Sequence, residues 1–480
     1  MAKIISEEEI SASMKNLILT QKIARENEGI LKDTIILHIN HIFADILAFN
    51  KILTDTLGAE VFYVSIPYNN NYAQNLSYYY LRAERKGICF SNILNNKPMN
   101  NSKLFNDLMD VMIYNVAYTM LKINPLLENK KLIIVQDGGY TSAVDGFNSS
   151  QDSFANVNNL IGMVEQTRAG TRMIQVKNSQ TKLTYPVLTI ARSKIKIRME
   201  SAFVAQRVFE ELNSLFYSLG LFLRYKTVIV GGFGIIGRQL AFYLRSIDIE
   251  VLIYDKDETV LRLARKEGFY TIAKIEPQHL TESFCYVGCT GTKSFTIREL
   301  NMLLQSGKAE FYLASGSSKR SEFLELIYFF ESDDHDVEKT TLIKRYPFLT
   351  DISDIKIEGT NEGFVYRFNY KMREIKIFLL AEGFPVNMYS PNSISIPDRA
   401  IDPTQALMLE SIIALKKNRL TPGLHYVGVK ENEHMVNEKK LLSEWCRLND
   451  LNIITNNPFN VFREHPLEDL LTENDMANLH

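Results

Sequence analysis

The chain reads as an α/β protein, and three observations carry that reading. Short apolar strands alternate with amphipathic helices along most of its 480 residues, the pattern of parallel sheets covered by helices. The strand Thr227–Val230 runs directly into Gly232-Phe233-Gly234-Ile235-Ile236-Gly237. A further strand, Glu250–Tyr254, follows the helix after that loop and ends on Asp255. Strand, glycine loop, helix and acid-ended strand together predict a dinucleotide-binding unit of the Rossmann type. Gly232 makes the tight turn, Gly234 lets the backbone approach a pyrophosphate, and Gly237 permits close helix–strand packing. The helix is expected from about Ile236 to Arg245. Its unpaired N-terminal N–H groups would hold the anion, with Ile235 and Ile236 among the cofactor-binding residues. Asp255 is placed to bind the two ribose hydroxyls. Its charge favours NAD over NADP, whose 2′-phosphate it would repel, although Lys256 beside it weakens that preference. The competing reading is a glycine-rich turn in some other α/β domain.

Length and composition narrow the classes. A chain of 480 residues is expected to hold about two to four domains. Hydrophobic residues make up 46% of it, enough for large cores. Lys plus Arg number 54 against 56 Asp plus Glu, a formal charge of -2. No basic stripe is present, so a nucleic-acid partner held by bulk electrostatics is not expected. The four cysteines, Cys89, Cys285, Cys289 and Cys446, form no zinc or disulfide framework. The opening MAKIISEEEISASMKN is polar and acidic, unlike a signal peptide. Apolar runs are too short to span a bilayer. A cytoplasmic protein without a membrane partner is the expectation.

In chain order, Ser6 and Glu9 form a capping box for a first helix, and Lys15–Arg25 continues the helical pattern. Thr34–Ile39 is a first strand, Ala44–Leu57 a helix stopped by Gly58, and Glu60–Ser65 a strand entering the loop Ile66–Asn71. Ser77–Lys86 and Leu104–Lys122 read as helices. Lys131–Val135 is a buried strand by its apolar run, followed at once by Gln136-Asp137-Gly138-Gly139. Asp137 thus stands where chemistry sits in a parallel sheet; a turn-forming role is the other reading. Gly146–Asn159 is a loop by its Asn, Ser and Gly content, and Asn159–Thr167 either starts a helix or carries a short site segment. After the strand Pro186–Ile190, the alternation Arg192, Lys194, Lys196, Arg198 is either a solvated face or an anion contact.

Ser201–Leu223 is helical and delivers the chain to the glycine-rich strand. Beyond it come the helix Glu258–Lys266, stopped by Gly268, and the strands Phe269–Ile272, Phe284–Val287 and Glu310–Leu313. The small residues Gly288-Cys289-Thr290-Gly291-Thr292 suit close approach of a dinucleotide. Cys285 and Cys289 read as packing, because no histidine or third cysteine completes a metal-ligand set. Ile352–Ile357, Phe364–Tyr370 and Glu374–Leu380 are further strands, and Thr404–Leu415 a helix. From about residue 418 a distinct tail begins. Its helix Asn437–Leu448 carries an apolar stripe of Leu441, Leu442 and Trp445, for packing against the body or a second subunit.

Several of these segments, in order, resemble the S-adenosylhomocysteine hydrolase family over roughly residues 35 to 415. They are LTDTLGAEV at Leu53–Val61, Gln136-Asp137-Gly138-Gly139, the stretch Gly162–Gly170, GGFGIIG with Asp255, and YRFNYKMREIKIFLLAEGFPVN at Tyr366–Asn387. The resemblance implies a Rossmann-type NAD-binding domain inserted in a larger α/β substrate-type domain. Its divisions would be 1-203 for the first part of the substrate-type domain, 204-380 for the NAD-binding domain, 381-417 for the return segment and 418-480 for the divergent tail. It implies a homo-oligomer, dimer or tetramer, and a nucleoside-like small molecule as partner. It also implies a resident NAD that oxidises the substrate ribose 3′-hydroxyl, so that homocysteine is eliminated and water added before the hydride returns. Carried over residue by residue, Asp137, Glu165 and Lys194 would be catalytic. Thr167, Thr290 and Asn387 would join the glycine loop and Asp255 in holding NAD.

The chain also departs from the family. Gln166 replaces the second of two paired glutamates, and Arg168 and Ala169 replace two of three threonines. Lys194 falls near the family's Lys-Ser-Lys-Phe-Asp-Asn, but the Asp and Asn are absent. Ala314-Ser315-Gly316-Ser317 stands for Asn-Ile-Gly-His, and Ser390–Ser395 for a segment holding a second histidine. His41-Ile-Phe43-Ala-Asp45 is a candidate for the family's His-Met-Thr-Val-Glu, with a one-residue gap. A serine has no accessible pKa near neutrality and cannot replace such a histidine. The expectation is an NAD-binding relative without efficient hydrolase activity. An NAD-dependent oxidoreductase of a nucleoside or related hydroxyl substrate is the alternative, and an active hydrolase with relocated groups a third.

Overall fold

A computed structural model describes residues 5–66, 88–90, 104–144, 157, 159–317, 319–333, 335–389, 395–452 and 457–467. The expected loop after Ile66, the helix Ser77–Lys86, most of the Asn/Ser-rich loop before Asn159, and the Ser390–Ile394 segment lie outside the described residues. Two units emerge. One comprises Met1–Pro98, Asn106–Glu200 and Pro391–His480; the other, Met99–Phe105 and Ser201–Ser390.

Fifteen strands are described. In chain order they are β1 (Thr34–His41), β2 (Glu60–Ile66), β3 (Ile88–Phe90), β4 (Lys131–Gln136), β5 (Leu160–Glu165), β6 (Pro186–Thr189), β7 (Thr227–Gly231) and β8 (Glu250–Tyr254). There follow β9 (Tyr270–Ile272), β10 (Cys285–Gly288), β11 (Glu310–Ser315), β12 (Ile352–Thr360), β13 (Gly363–Tyr370), β14 (Arg373–Leu380) and β15 (Gly423–Tyr426).

The first unit's sheet has the order β15-β6-β5-β4-β1-β2-β3, and every pairing in it is parallel. All eight positions of β1 are buried, as a strand covered on both faces requires. The helix Asp398–Lys417 packs on β5, and Leu415 occupies the space a side chain at Gly162 would need. Pro403 interrupts that helix and cannot donate to the carbonyl of Arg399. The indole Nε1 of Trp445 donates to that carbonyl instead, at 2.9 Å. The tail stripe Leu441, Leu442 and Trp445 is buried and so packs within its own unit. Asp402 caps a second helix, Ile18–Glu26, from outside: its carboxylate accepts from the N–H groups of Leu19 at 2.8 Å and Thr20 at 3.0 Å.

Two expectations are decided or corrected here. Of the two readings of Asn159–Thr167, the helix start fails: the stretch is mostly the strand β5, and its polar end is the strand's last residue and the following turn, a short segment at the sheet edge. The tail is not wholly apart from the body's sheet, because Gly423–Tyr426 adds to its edge beside β6. With only four residues, that strand is too short for a period to show in the sequence.

The second unit's sheet runs β12-β13-β14-β11-β10-β7-β8-β9. The strands from β9 to β14 are parallel, and β12 and β13 add an antiparallel edge. This is the doubly wound Rossmann-type architecture. Its core is aromatic on one face, with Tyr286, Phe295, Phe311, Phe323 and Tyr366 all buried.

Candidate functional site

In open parallel sheets, ligands bind beyond the carboxyl ends of strands where the order reverses. Each unit has one such point. In the second it lies between β7 and β10, where Gly231 pairs with Gly288. Gly232 follows with φ +92, and its N–H donates to the Tyr254 carbonyl at 2.7 Å. A side chain at Gly237 would place Cβ 1.9 Å from the Gly232 carbonyl oxygen, so helix and loop touch backbone to backbone. Gly234 is the N-cap of the helix Ile235–Arg245. A Cβ there would meet nothing within 4 Å, so the approach to the helix N-terminus is open. Asp255 ends β8 half-buried, its Oδ2 accepting from Phe233 N–H and its Oδ1 from Asp257 N–H, each at 3.0 Å. Each oxygen retains a further lone pair. Open helix end, close backbone and anchored acid fit a dinucleotide.

The loop after β10 carries Thr290, exposed at the same edge. Asn387 is buried in the short helix Val386–Tyr389 of this unit. The sequence reading missed Glu322, a fully buried carboxylate that accepts from the N–H groups of Thr290 and Gly291, both at 2.7 Å. An acid 32 residues after Thr290, in a helical turn, has no local signal that could have found it.

In the first unit the reversal lies between β1 and β4. Asp137 follows β4, half-buried, with its N–H donating to Ile39 at 2.9 Å. Glu165 ends β5 and is fully buried. Its Oε1 accepts from Gly138 N–H at 3.2 Å, Thr167 N–H at 2.7 Å and Thr167 Oγ1 at 2.8 Å; its Oε2 accepts from Gly139 N–H at 3.1 Å. Burial pushes its pKa up to about 8, helped by the charge of Asp137 and opposed by the Thr167 and Gly138 hydrogen bonds. Gly170 must lack a side chain, because a Cβ would sit 2.3 Å from the Glu165 carboxyl carbon. Thr167 caps the helix Arg168–Gln180, accepting from Gly170 N–H at 3.1 Å.

Beside these runs a buried polar string that the sequence reading also missed. The Nδ1 of His38 pairs with Asn50 Oδ1 at 2.5 Å and its Nε2 with Asn40 Nδ2 at 3.3 Å; Asn40 Nδ2 also donates to Gln166 Oε1 at 3.2 Å. Burial lowers the His38 pKa to about 4, so the ring is neutral and donates from Nδ1. The available signal was a His and an Asn two apart, hence on one face, within an otherwise apolar strand. The expected pair lies differently. Tyr63 donates to the His41 carbonyl, and Asp45 is buried, accepting from Gln405 Nε2 at 2.7 Å.

Asp137, Glu165 and Thr167 are thus gathered at one edge of the first unit. Lys194 is turned to the C-terminal segment, its ammonium 5.4 Å from the Phe459 ring centroid. Arg192 stacks on Tyr426 at 4.3 Å, and Arg198 pairs with Glu464 at 3.0 Å. Three of the four residues of the basic alternation are therefore packed against the tail, while Lys196 pairs with Glu200 at 2.7 Å, so it is not a solvated face. The glycine loop, Ile235, Ile236, Asp255 and Thr290 gather at the edge of the second unit. Among the described residues no group of three or more His, Cys, Asp and Glu could hold a metal, and no helix is long and apolar enough to cross a membrane.

No protein-family model matches the chain. By sequence it is similar to S-inosyl-L-homocysteine hydrolase of Methanopyrus kandleri, 24% identical over 333 residues that cover 68% of this chain and 69% of that one. It is also similar to adenosylhomocysteinase of Pyrococcus abyssi, 23% identical over 335 residues covering 68% and 69%. A solved 2-hydroxyacid dehydrogenase from Ketogulonicigenium vulgare shares 10% identity at a TM-score of 0.38, over 82% of this chain and 98% of that one.

Proposed function

We propose that this chain, a divergent relative of the S-adenosylhomocysteine hydrolases, binds NAD and acts with it on a hydroxyl of a nucleoside-like small molecule. Efficient hydrolysis of S-adenosylhomocysteine is not part of this reading. The observation that carries it is the β7–β10 edge, where the open helix end at Gly234 adjoins an Asp255 held by two N–H groups. Gly232, Gly234, Ile235, Ile236 and Gly237 would hold the pyrophosphate, Asp255 the adenosine ribose, and Thr290 and Asn387 of the same unit the remaining half. NAD, when bound, supplies a reversible hydride acceptor. The relatives' names point to purine thioethers with either adenine or hypoxanthine, and such nucleosides are the substrate class proposed.

On the substrate side, Asp137 would be the group that moves a proton. Glu165 has its oxygens occupied by four donors and acts by shaping the Gly138-Gly139 turn. Gln166 can orient a hydroxyl but cannot take its proton. These assignments favour alcohol oxidation over the full hydrolytic cycle, which needs further proton-transfer groups. Calorimetric titration with NAD, followed by addition of adenosine, inosine and their homocysteine thioethers, tests the reading. Saturable NAD binding and the near-ultraviolet absorbance of NADH on adding one nucleoside are expected, with little homocysteine released. Absence of NAD binding, or homocysteine release at rates typical of such hydrolases, would overturn it. NAD binding with no reduction by any nucleoside would leave a cofactor-binding protein without this chemistry.

A further inference from the structure

Resting on the NAD reading, we propose that Glu322 is the positioning residue for the second half of the dinucleotide, set independently of the glycine loop that holds the first half. It lies in the turn Ser321–Phe323 and is fully buried, yet five donors converge on its carboxylate. These are Thr290 N–H at 2.7 Å, Gly291 N–H at 2.7 Å, Thr290 Oγ1 at 2.9 Å, Ser317 Oγ at 2.6 Å and Ser294 Oγ. Its own carbonyl accepts from the N–H groups of Ser294 and Phe295, both at 3.1 Å. One residue thereby holds the segment Thr290–Phe295, which has no regular structure of its own, and ties it to the segment after β11. Gly288 completes the fit, since a Cβ there would lie 2.7 Å from Glu322 Oε2.

The position gives this clamp its meaning. A dinucleotide crosses the switch point of such a sheet, one half over each flank. The glycine loop and Asp255 belong to the β7–β8 flank, whereas Thr290 and Ser317 follow β10 and β11. The N–H groups of Thr290 and Gly291 are already spent on a carboxylate, so they offer nothing to a phosphate. That flank suits the uncharged or cationic part of a dinucleotide. Without Glu322, five donors would lose their acceptor at once, the buried Ser294 hydroxyl among them, and the loop would lose its shape.

Titration with NAD and, separately, with ADP tests this. ADP presents only the adenosine and pyrophosphate. Glu322→Ala should weaken NAD binding by about tenfold or more, with ADP binding changed less than about twofold. Glu322→Gln keeps an oxygen for the two N–H groups and turns an amide toward hydroxyls that can accept; it should recover most of the NAD affinity. Should Glu322→Ala not fold, Ser294→Ala combined with Ser317→Ala removes two of the five donors and should weaken NAD about threefold, again sparing ADP. Parallel loss of NAD and ADP affinity, or unchanged NAD affinity, overturns the inference. A wild-type chain that binds neither ligand overturns the NAD reading itself, whereas one that binds both equally in every variant overturns this inference alone.

Discussion

The two switch points solve a similar placement problem with different materials. At the β7–β10 edge the proposed recognition groups are mainly backbone: a helix N-terminus opened by Gly234, a loop closed by Gly232, and one acid, Asp255. At the β1–β4 edge they are side chains: Asp137, Glu165, Gln166, Asn40 and His38, held by one another and by loop N–H groups. A backbone site depends on a few positions that tolerate only glycine. A side-chain site depends on many identities, each of which can change while the fold persists. That contrast matches what this chain shares with the S-adenosylhomocysteine hydrolase pattern it resembles, the glycine loop, and what it lacks of that pattern, several of the acid–base groups.

The sharpest break should come at Gly237. Gly237→Ala drives a methyl to 1.9 Å from the Gly232 carbonyl, where only backbone movement can relieve it. Overpacking of this kind costs about 1–3 kcal/mol or more, and NAD affinity should fall well beyond the stability effect. Thermal melts and calorimetric titration read both. Gly234→Ala is the control that separates the two: its φ is -74 and the space is open. Its melting temperature should stay near wild type while NAD affinity drops. Equal behaviour of the two variants would mean that the open helix end is not a ligand site.

The corresponding break in the first unit is Gly170→Ala. Gly to Ala inside a helix ordinarily stabilises by about 0.5–1 kcal/mol. Here the methyl lands within 2.4 Å of the Glu165 carboxyl group, so Glu165 must leave its four donors. A net loss of about 1–2 kcal/mol is expected, with NAD binding unchanged and nucleoside-dependent NADH formation lost. A stabilised variant with normal nucleoside chemistry would show that the Glu165 cradle is incidental.

What the sequence made legible follows the same division. Gly232, Gly234, Gly237 and Asp255 lie within one strand–loop–helix–strand unit, so their spacing exposed them. The helix begins at Ile235, one residue before its expected start. Gly58 and Gly268, expected as helix stops, both adopt positive φ. Glu322 and its donors are brought together across 32 residues, and Asn40 meets Gln166 across 126. No local pattern encodes such meetings. The basic alternation after β6 was misjudged for a related reason: whether Lys194 faces solvent depends on Phe459, which arrives from the far end of the chain. The strand character of Leu160–Glu165 was obscured because its last residue, Glu165, and the turn Gln166-Thr167 after it are polar, and they are polar because they build the edge.

A smaller effect lies behind the first unit's edge, at Asp45. Its Oδ2 takes the Gln405 amide at 2.7 Å, while Asp45 Oδ1 and Gln405 Oε1, both buried, have no partner among the described residues. Burial raises its pKa from 3.8 to about 7; the charge of Asp398 adds to the rise, and the backbone N–H groups of Asp45 and Ile46 and the Gln405 amide oppose it. The folded chain therefore holds this proton more tightly than the unfolded one. The resulting stability is complete below about pH 4 and is lost as the pH climbs through about 7. Asp45→Asn removes the titration and keeps an oxygen to accept from the Gln405 amide. Its stability, read from thermal melts, should match wild type near pH 4 and exceed it near pH 8 by about 1–2 kcal/mol once water near half-exposed Asp398 screens part of the repulsion. The comparison is internal to each pH, so the titration of other groups cancels. A variant less stable than wild type at pH 8 would mean that Asp45 is ionised in the fold and held by contacts other than the Gln405 amide. NAD binding should be the same in both proteins, since Asp45 lies in the unit without the glycine loop.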